Sequence, residues 1–201
     1  MNFIKLALRR LFRKGEHALT KVISLTAGLA FGILLLSEVL YYFSYDSFYP
    51  DADRIYLVEE NFAMDSSSDE RDSYPRVSGA IAPGLQAEVP GVEAATRINP
   101  LGDHVIYTND MNGYDAEISL ADEHLFDVLP IPMVSGNPEE ILTSPMTCMV
   151  SQEIADNIGG EVVGKVIGVK AYPGKQLTIG GVFETLPENT NYTYDILISM
   201  V

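Results

Sequence analysis

The chain holds one cysteine, Cys148, and three histidines, His17, His104 and His124, among 201 residues. A single thiol cannot close an intrachain disulfide. Its neighbours Thr147, Met149 and Val150 point to a buried strand position for Cys148. The histidines show no spacing that would make a metal pair, so each reads as a surface or satisfied residue. Gly-x-Ser-x-Gly, His-Glu-x-x-His and Cys-x-x-Cys are all missing, which removes the commonest hydrolase, zinc-protease and redox readings. Asp69, Glu70 and Asp72 cluster, but without the glycine and terminal glutamate of a calcium loop, and they read as solvated loop. Gly159 to Lys165 (GGEVVGK) imitates the front of a phosphate loop. Val166 stands where a magnesium-binding hydroxyl belongs, however, and the segment leaves a helix for a strand instead of the reverse. It is a turn. The sequence therefore predicts no catalytic, cofactor-binding or metal-binding residues.

Positive charge is scarce as well, and it is unevenly placed. Residues 1–21 carry six Lys/Arg (Lys5, Arg9, Arg10, Arg13, Lys14, Lys21) against Glu16, whereas residues 44–201 carry seven against twenty-six Asp/Glu. Between them lies the longest apolar run, Val22 to Phe43, broken by one charge, Glu38. About 20 apolar residues in a helix cross the roughly 30 Å of a bilayer's hydrocarbon. A basic flank stays in the cytoplasm, so the N-terminus reads as inside and the bulk as outside. A cleavable signal peptide would have an apolar core of about 7–15 residues ending at a small-residue site. This run continues straight through the one weak candidate, Gly28-Leu29-Ala30. A buried helix of a soluble protein is the other rival, and the run is long for that.

Within the span, Ser24, Gly28 and Gly32 recur every fourth residue and share a face. Such small residues let helix backbones approach closely in lipid, although glycine is also simply common in membrane helices. Glu38 near the outer end is positioned to snorkel to the headgroups, with Tyr41, Tyr42 and Tyr45 as an interfacial aromatic belt. Ahead of the span, residues 2–14 have a helical period. Phe3, Ile4, Ala7, Leu8, Leu11 and Phe12 fall on one side, with Leu6 out of place. Lys5, Arg9 and Arg13 fall opposite, with Arg10 and Lys14 at the border. This is the pattern of a helix lying on the anionic inner membrane surface, and it argues against nucleic acid as the partner.

The 158 residues after the span suffice for one domain or two small ones. Their acidity reads as a well-solvated surface. Strands are expected at Arg54–Phe62, Val92–Ile98, Val105–Thr108, Tyr114–Leu120, Met146–Val150, Val166–Ala171, Gln176–Phe183 and Tyr194–Met200. Residues 109–113 should turn the hairpin, and Ala63–Tyr74 should be a polar loop. Helices are expected at Val77–Glu88, Glu123–Leu129 and from a Ser151 cap to Ile158, with proline-bearing loop at 130–138. The class is α+β, with split β-α-β units.

Ser44-Tyr45-Asp46-x-Phe48-x-x-x-Ala52-Asp53-Arg54-Ile55-Tyr56 directly follows the span. After it come Val89-Pro90-Gly91-Val92-Glu93, then Arg97-Ile98. Next are Ala121-Asp122-x-x-Leu125-Phe126-Asp127-Val128 and Ser135-Gly136-Asn137-Pro138. Val150-Ser151-x-x-Ile154-Ala155, Val163-Gly164-Lys165 and Gly180-Gly181-Val182-Phe183-x-x-Leu186-Pro187-Glu188-Asn189-Thr190 complete the series. In this order the chain resembles the MacB-like periplasmic core region of ABC transporter permeases, the FtsX-like group. The resemblance implies an inner-membrane permease with several spans and an outer domain of two α/β subdomains between the first two. Its implied partners are the lipid bilayer, a separate cytoplasmic ATPase that carries the ATP, and other permease spans or a second permease subunit, with a periplasmic adaptor left open. Residues 1–21 would then be the cytoplasmic amphipathic helix, 22–43 the transmembrane helix and 44–201 the outer domain. No second span precedes Val201, so the expectation is an N-terminal portion with its outer domain incomplete. The alternative is a single-span anchor for a ligand- or partner-binding sensor module. An anchored enzyme ranks third, for want of a catalytic constellation. Asn191-Tyr192-Thr193 spells a glycosylation sequon, which a bacterial membrane protein leaves unused.

Overall fold

A computed structural model describes residues 17–63, 71–108 and 113–201. The basic segment with Lys5, Arg9, Arg10, Arg13 and Lys14, the acids Asp69 and Glu70, and most of the 109–113 turn lie outside the described residues. Contacts divide the chain into two units, one ending at Tyr45 and one running from Asp46 to Val201.

The first unit is built on a 26-residue helix, α1, Ala18–Phe43. It contains no proline, and its two glycines are outweighed by Leu, Ala and other helix formers. The helix starts before the apolar run, taking in Lys21. Its last turn tightens, with the Ser44 N–H donating to the Tyr41 carbonyl at 3.0 Å and the Tyr45 N–H to that of Tyr42 at 3.3 Å. Leu19–Phe43 is long and apolar enough to cross a membrane, and every residue of it is exposed in the chain itself. A soluble protein could not leave that surface in water.

The second unit is Asp46–Val201. Its strands are β1 (Glu60–Ala63), β2 (Arg71–Tyr74), β3 (Ile98–Tyr107), β4 (Gly113–Ala121), β5 (Met133–Ser135), β6 (Thr147–Ser151), β7 (Val166–Val169), β8 (Gln176–Phe183) and β9 (Ile196–Ser199). Its helices are α2 (Ile81–Glu88), α3 (Leu125–Val128), α4 (Pro138–Leu142) and α5 (Gln152–Ile158). β1 and β2 form a separate antiparallel ribbon, and the other seven strands run in the order β5-β8-β6-β9-β4-β3-β7. β7 also pairs with β8, so the sheet closes into a ring of six strands with β5 added beside the far end of β8. β6 and β8 are parallel neighbours joined through α5 and β7, and β4 lies parallel to β9.

Alternation along the strands sorts the core into two layers, as a period of two requires. Cys148, Val150 and Ile196 face one way, toward Ile154 and Ala155 of α5. Met149 and Leu197 face the other, toward Leu125 of α3 and Ile141 and Leu142 of α4. Gly136, Gly180 and Gly181 let α4 sit close on β8. A Cβ on Gly181 would lie 2.6 Å from the Ser135 carbonyl oxygen and 2.8 Å from Ile141 Cδ1.

The α+β class, the hairpin strands on either side of residues 109–112, β8 and the Ser151 cap agree with the sequence. Ser151 accepts from the Ile154 N–H at 3.3 Å. Five expectations need correction. Arg54–Phe62 is not one strand: Ala52–Arg54 is a 3-10 turn, Tyr56 to Val58 are exposed without a sheet partner, and pairing begins only at Glu60. The end of the expected 63–74 loop is β2, paired to β1. α2 starts at Ile81 instead of Val77, which puts Pro83 in the first turn, where its missing N–H costs nothing. Residues 130–138 are not all loop: they contain β5, and Pro138 opens α4 behind Asn137, whose side chain accepts from the Glu139 N–H at 3.2 Å. Val92–Ile98 likewise contributes only Ile98, as the first residue of a β3 that runs on to Tyr107 with a bulge between Pro100 and Gly102.

Cys148 is fully buried, its thiol donating weakly to the Thr178 carbonyl at 3.7 Å, and burial pushes its pKa up to about 12. Thiolate at pH 7–8 is therefore negligible, and iodoacetamide should label Cys148 only once the outer unit unfolds. Mass spectrometry of alkylated native and urea-treated protein checks this. Gly181→Ala should destabilise by about 1–3 kcal/mol through overpacking, seen as a lowered thermal midpoint.

Candidate functional site

Among the described residues, no group of three or more His, Cys, Asp or Glu side chains is placed to hold a metal ion. The three histidines stay apart in role. His17 precedes α1 in a left-handed conformation, His104 meets the edge of the Tyr172 ring at 5.7 Å, and His124 Nδ1 pairs with Asp127 Oδ2 at 3.1 Å. That hydrogen bond to Asp127 raises the His124 pKa above its ordinary value. Lys165 donates to the Gly159 carbonyl at 2.8 Å and so closes its own turn.

Among the described residues, those read as membrane-related lie on or beside α1. Ser24, Gly28 and Gly32 are exposed, and a Cβ added to either glycine would touch nothing within 4 Å. Ser37 satisfies its hydroxyl on the Ile33 carbonyl at 2.8 Å, as a hydroxyl in a hydrocarbon environment must. Glu38 lies one turn inside the C-terminal end. The three tyrosines cluster, Tyr45 meeting Tyr41 edge-on at 5.5 Å and stacking on Tyr42 at 6.0 Å.

Two carboxylates organise the outer unit, Asp46 and Asp122, and nothing local in the sequence reveals their role. Asp46, three residues beyond Phe43, is in a left-handed conformation (φ 55) that Asp tolerates better than most residues. Its Oδ1 accepts from the Thr190 hydroxyl at 2.6 Å and the Asn191 N–H at 3.1 Å, and its Oδ2 from the Asn191 side-chain amide at 2.6 Å. Its own N–H donates to the Asn189 carbonyl at 3.0 Å. Three residues on, Tyr49 is buried in the layer that holds α3 and α4.

Asp122 lies at the end of β4 and is 4% exposed. Its Oδ2 accepts from Arg97 Nε at 2.9 Å and from the Arg97 N–H at 3.1 Å. Its Oδ1 accepts from the Thr96 hydroxyl at 2.6 Å and the His124 N–H at 3.3 Å. Arg97 reaches further, to the Gly79 carbonyl at 3.2 Å, tying the approach to α2 into the sheet. A cleft of about 100 Å³ opens beside this pair, lined by Pro83, Gln86, Ala95, Glu123 and His124 as well. Every polar atom of Asp122 is engaged, so the pair serves architecture. Asp122→Ala would strand those donors and should cost about 2–3 kcal/mol, after allowance for the partly exposed arginine. In a thermal melt of the full chain in detergent this appears as a fall of roughly 5–10 °C.

No curated protein matches the chain. Among solved structures it is similar to a domain of a protein assigned as a permease from Porphyromonas gingivalis. The identity is 34% and the TM-score 0.61, over 65% of this chain and 56% of that one. The match thus spans little more than half of that crystallised domain. It is also similar to the periplasmic region of MacB from Actinobacillus actinomycetemcomitans, 12% identical with a TM-score of 0.47 over 60% of this chain and 53% of that one. A third is the extracellular domain of a noncanonic ABC-type transporter, YknZ, from Gram-positive bacteria, 13% identical with a TM-score of 0.48 over 61% and 62% of the two chains. At those scores the last two carry no argument here. The sequence profile of the MacB-like periplasmic core domain, by contrast, matches residues 20–200, from inside α1 to the end of β9. The chain belongs to the MacB-like periplasmic core domain family of ABC-type permeases.

Proposed function

We propose that this chain is the N-terminal part of a permease subunit that couples a separate cytoplasmic ATPase to movements of an extracytoplasmic domain, for export or mechanotransmission. The observation that carries the reading is the family match running unbroken from the exposed apolar helix into the outer unit. Such coupling needs a helix stiff enough to move as one body, joined to a folded head. α1 meets the first requirement with 26 uninterrupted helical residues, about 39 Å at 1.5 Å per residue. The six Lys/Arg ahead of the run favour a cytoplasmic N-terminus in a bacterial inner membrane, with residues from Asp46 onward outside. Lys5, Arg9, Arg10, Arg13 and Lys14 would lie along the anionic inner surface beside the ATPase. ATP belongs to that partner, and the chain itself performs no chemistry. Ser24, Gly28 and Gly32 would seat against another span of the permease or a second subunit.

Copurification of the full-length gene product from its native membrane should bring an ABC-type ATPase with it; its consistent absence would sink the coupling. A phosphatase reporter fused after Val201 should be active only outside the cytoplasm, and inside activity would refute the orientation. Gly32→Leu should weaken crosslinking between α1 and its neighbouring span by about tenfold, if a close approach of backbones holds them. The thermal midpoint of the outer unit should not change.

A further inference from the structure

Residues 46–55 run along the outer unit without joining its sheet. Their only regular structure is the turn at Ala52–Arg54, and Tyr49 alone among them is fully buried. Ala52 and Ile55 are half-buried against the same layer, and Tyr56, Leu57 and Val58 beyond are exposed. Tyr49 packs into the apolar layer that also holds Leu125, Leu129 and Tyr194. The densest polar hold is at one end, where Asp46 takes three hydrogen bonds and gives a fourth to residues 189–191, up to 145 residues away in sequence; at the other end the exposed Arg54 pairs with Glu93. Hydrogen bonds to a charged acceptor are the stronger kind.

The far side of that hold is firmly rooted. Thr190 is 5% exposed, and its oxygen also accepts from the Tyr192 N–H at 3.1 Å. Four residues after Asn191, Asp195 is pinned to two strands. Its N–H donates to the Glu117 carbonyl at 2.7 Å, its carboxylate accepts from the Glu117 N–H at 2.9 Å, and its carbonyl accepts from the Ser151 N–H at 2.7 Å. β9 follows at once, in the middle of the sheet.

We propose that residues 46–55 are a strap that opens from the sheet as a separate unit, and that Asp46 is its clasp. Closed, the strap delivers any displacement of residue 46 through the 189–191 turn and Asp195 to β9. Open, it frees ten residues of chain, which fully extended span about 33 Å. Opening costs the clasp, the exposed Arg54–Glu93 pair and the burial around Tyr49, and no sheet hydrogen bond is broken. The strap is a property of this chain's outer unit and does not depend on the ATPase reading.

Hydrogen exchange on the full chain in nanodiscs tests it, read peptide by peptide. The N–H groups of Asp46, Tyr49, Arg54 and Ile55 are all hydrogen-bonded and should be protected, less so than β6 and β9. Asn191→Asp sets two carboxylates face to face across the clasp. Exchange over residues 46–55 should then rise by about tenfold or more while β6 and β9 stay as they were. Asp46→Asn combined with Asn191→Asp reverses donor and acceptor, and Asn tolerates the left-handed backbone at 46 as Asp does. Exchange in the strap should return to near the wild-type rate. Unchanged exchange in Asn191→Asp would overturn the clasp. A rise shared equally by β6 and β9 would overturn the separate strap, and failure of the double variant to restore protection would overturn the pairing. No ATPase takes part, so none of these failures touches the permease reading.

Discussion

A strand buried on both faces and paired on both edges must find a partner for every polar group it carries, and β9 is such a strand. It sits between β6 and β4, with Ile196 in one core layer and Leu197 in the other, both fully buried. Neighbouring elements of the sheet and its helices are tied to that short strand. Asp195 ahead of it stitches β4 to β6, and Ser199 at its end donates to the Leu142 carbonyl at 2.6 Å, holding α4 in place. The Met200 N–H then closes on the Ala121 carbonyl at 3.1 Å, next to Asp122. Buried backbone polar groups must be paired, and here the pairing reaches one residue past each end of the strand.

The two carboxylate hubs use negative charge in the same way at different depths. Asp122 gathers donors from Thr96, Arg97 and His124 at the end of β4, and Asp46 gathers them from a single turn far along the chain. In an outer region with twenty-six acids and seven Lys/Arg, these two are set apart by their partners: most of their donors are backbone N–H, hydroxyl and amide groups. Scarce cations do not limit such sites. Exposed pairs such as Arg54–Glu93, at 2.5 Å, contribute little by comparison.

The elements read well from sequence were those whose signal is local. The span shows in composition, β8 in its apolar and β-branched residues, and α5 in the Ser151 cap. β5 and α4 were hidden by prolines that sit at an edge strand's approach and at a helix's first residue, positions where proline is harmless. The expected strand at 54–62 failed because an apolar, β-prone segment still needs a partner, and Tyr56 to Val58 have none in the sheet. Asp46 and Asn189-Thr190 were both visible as motif residues. Nothing in a periodicity links positions 144 apart, so their meeting needed the fold. The closure of β7 onto β8 was equally out of reach, since each strand alone reads as an ordinary short strand.

The proposed coupling makes motion of the outer unit the property to measure, and the buried thiol decides how easily it is measured. Cys148 is the only cysteine, and it faces the α5 layer with no exposure. The wild-type chain is in effect already a cysteine-free background for surface chemistry. A pair of spin labels or fluorophores placed on exposed positions would report distances without first removing a native residue from the core.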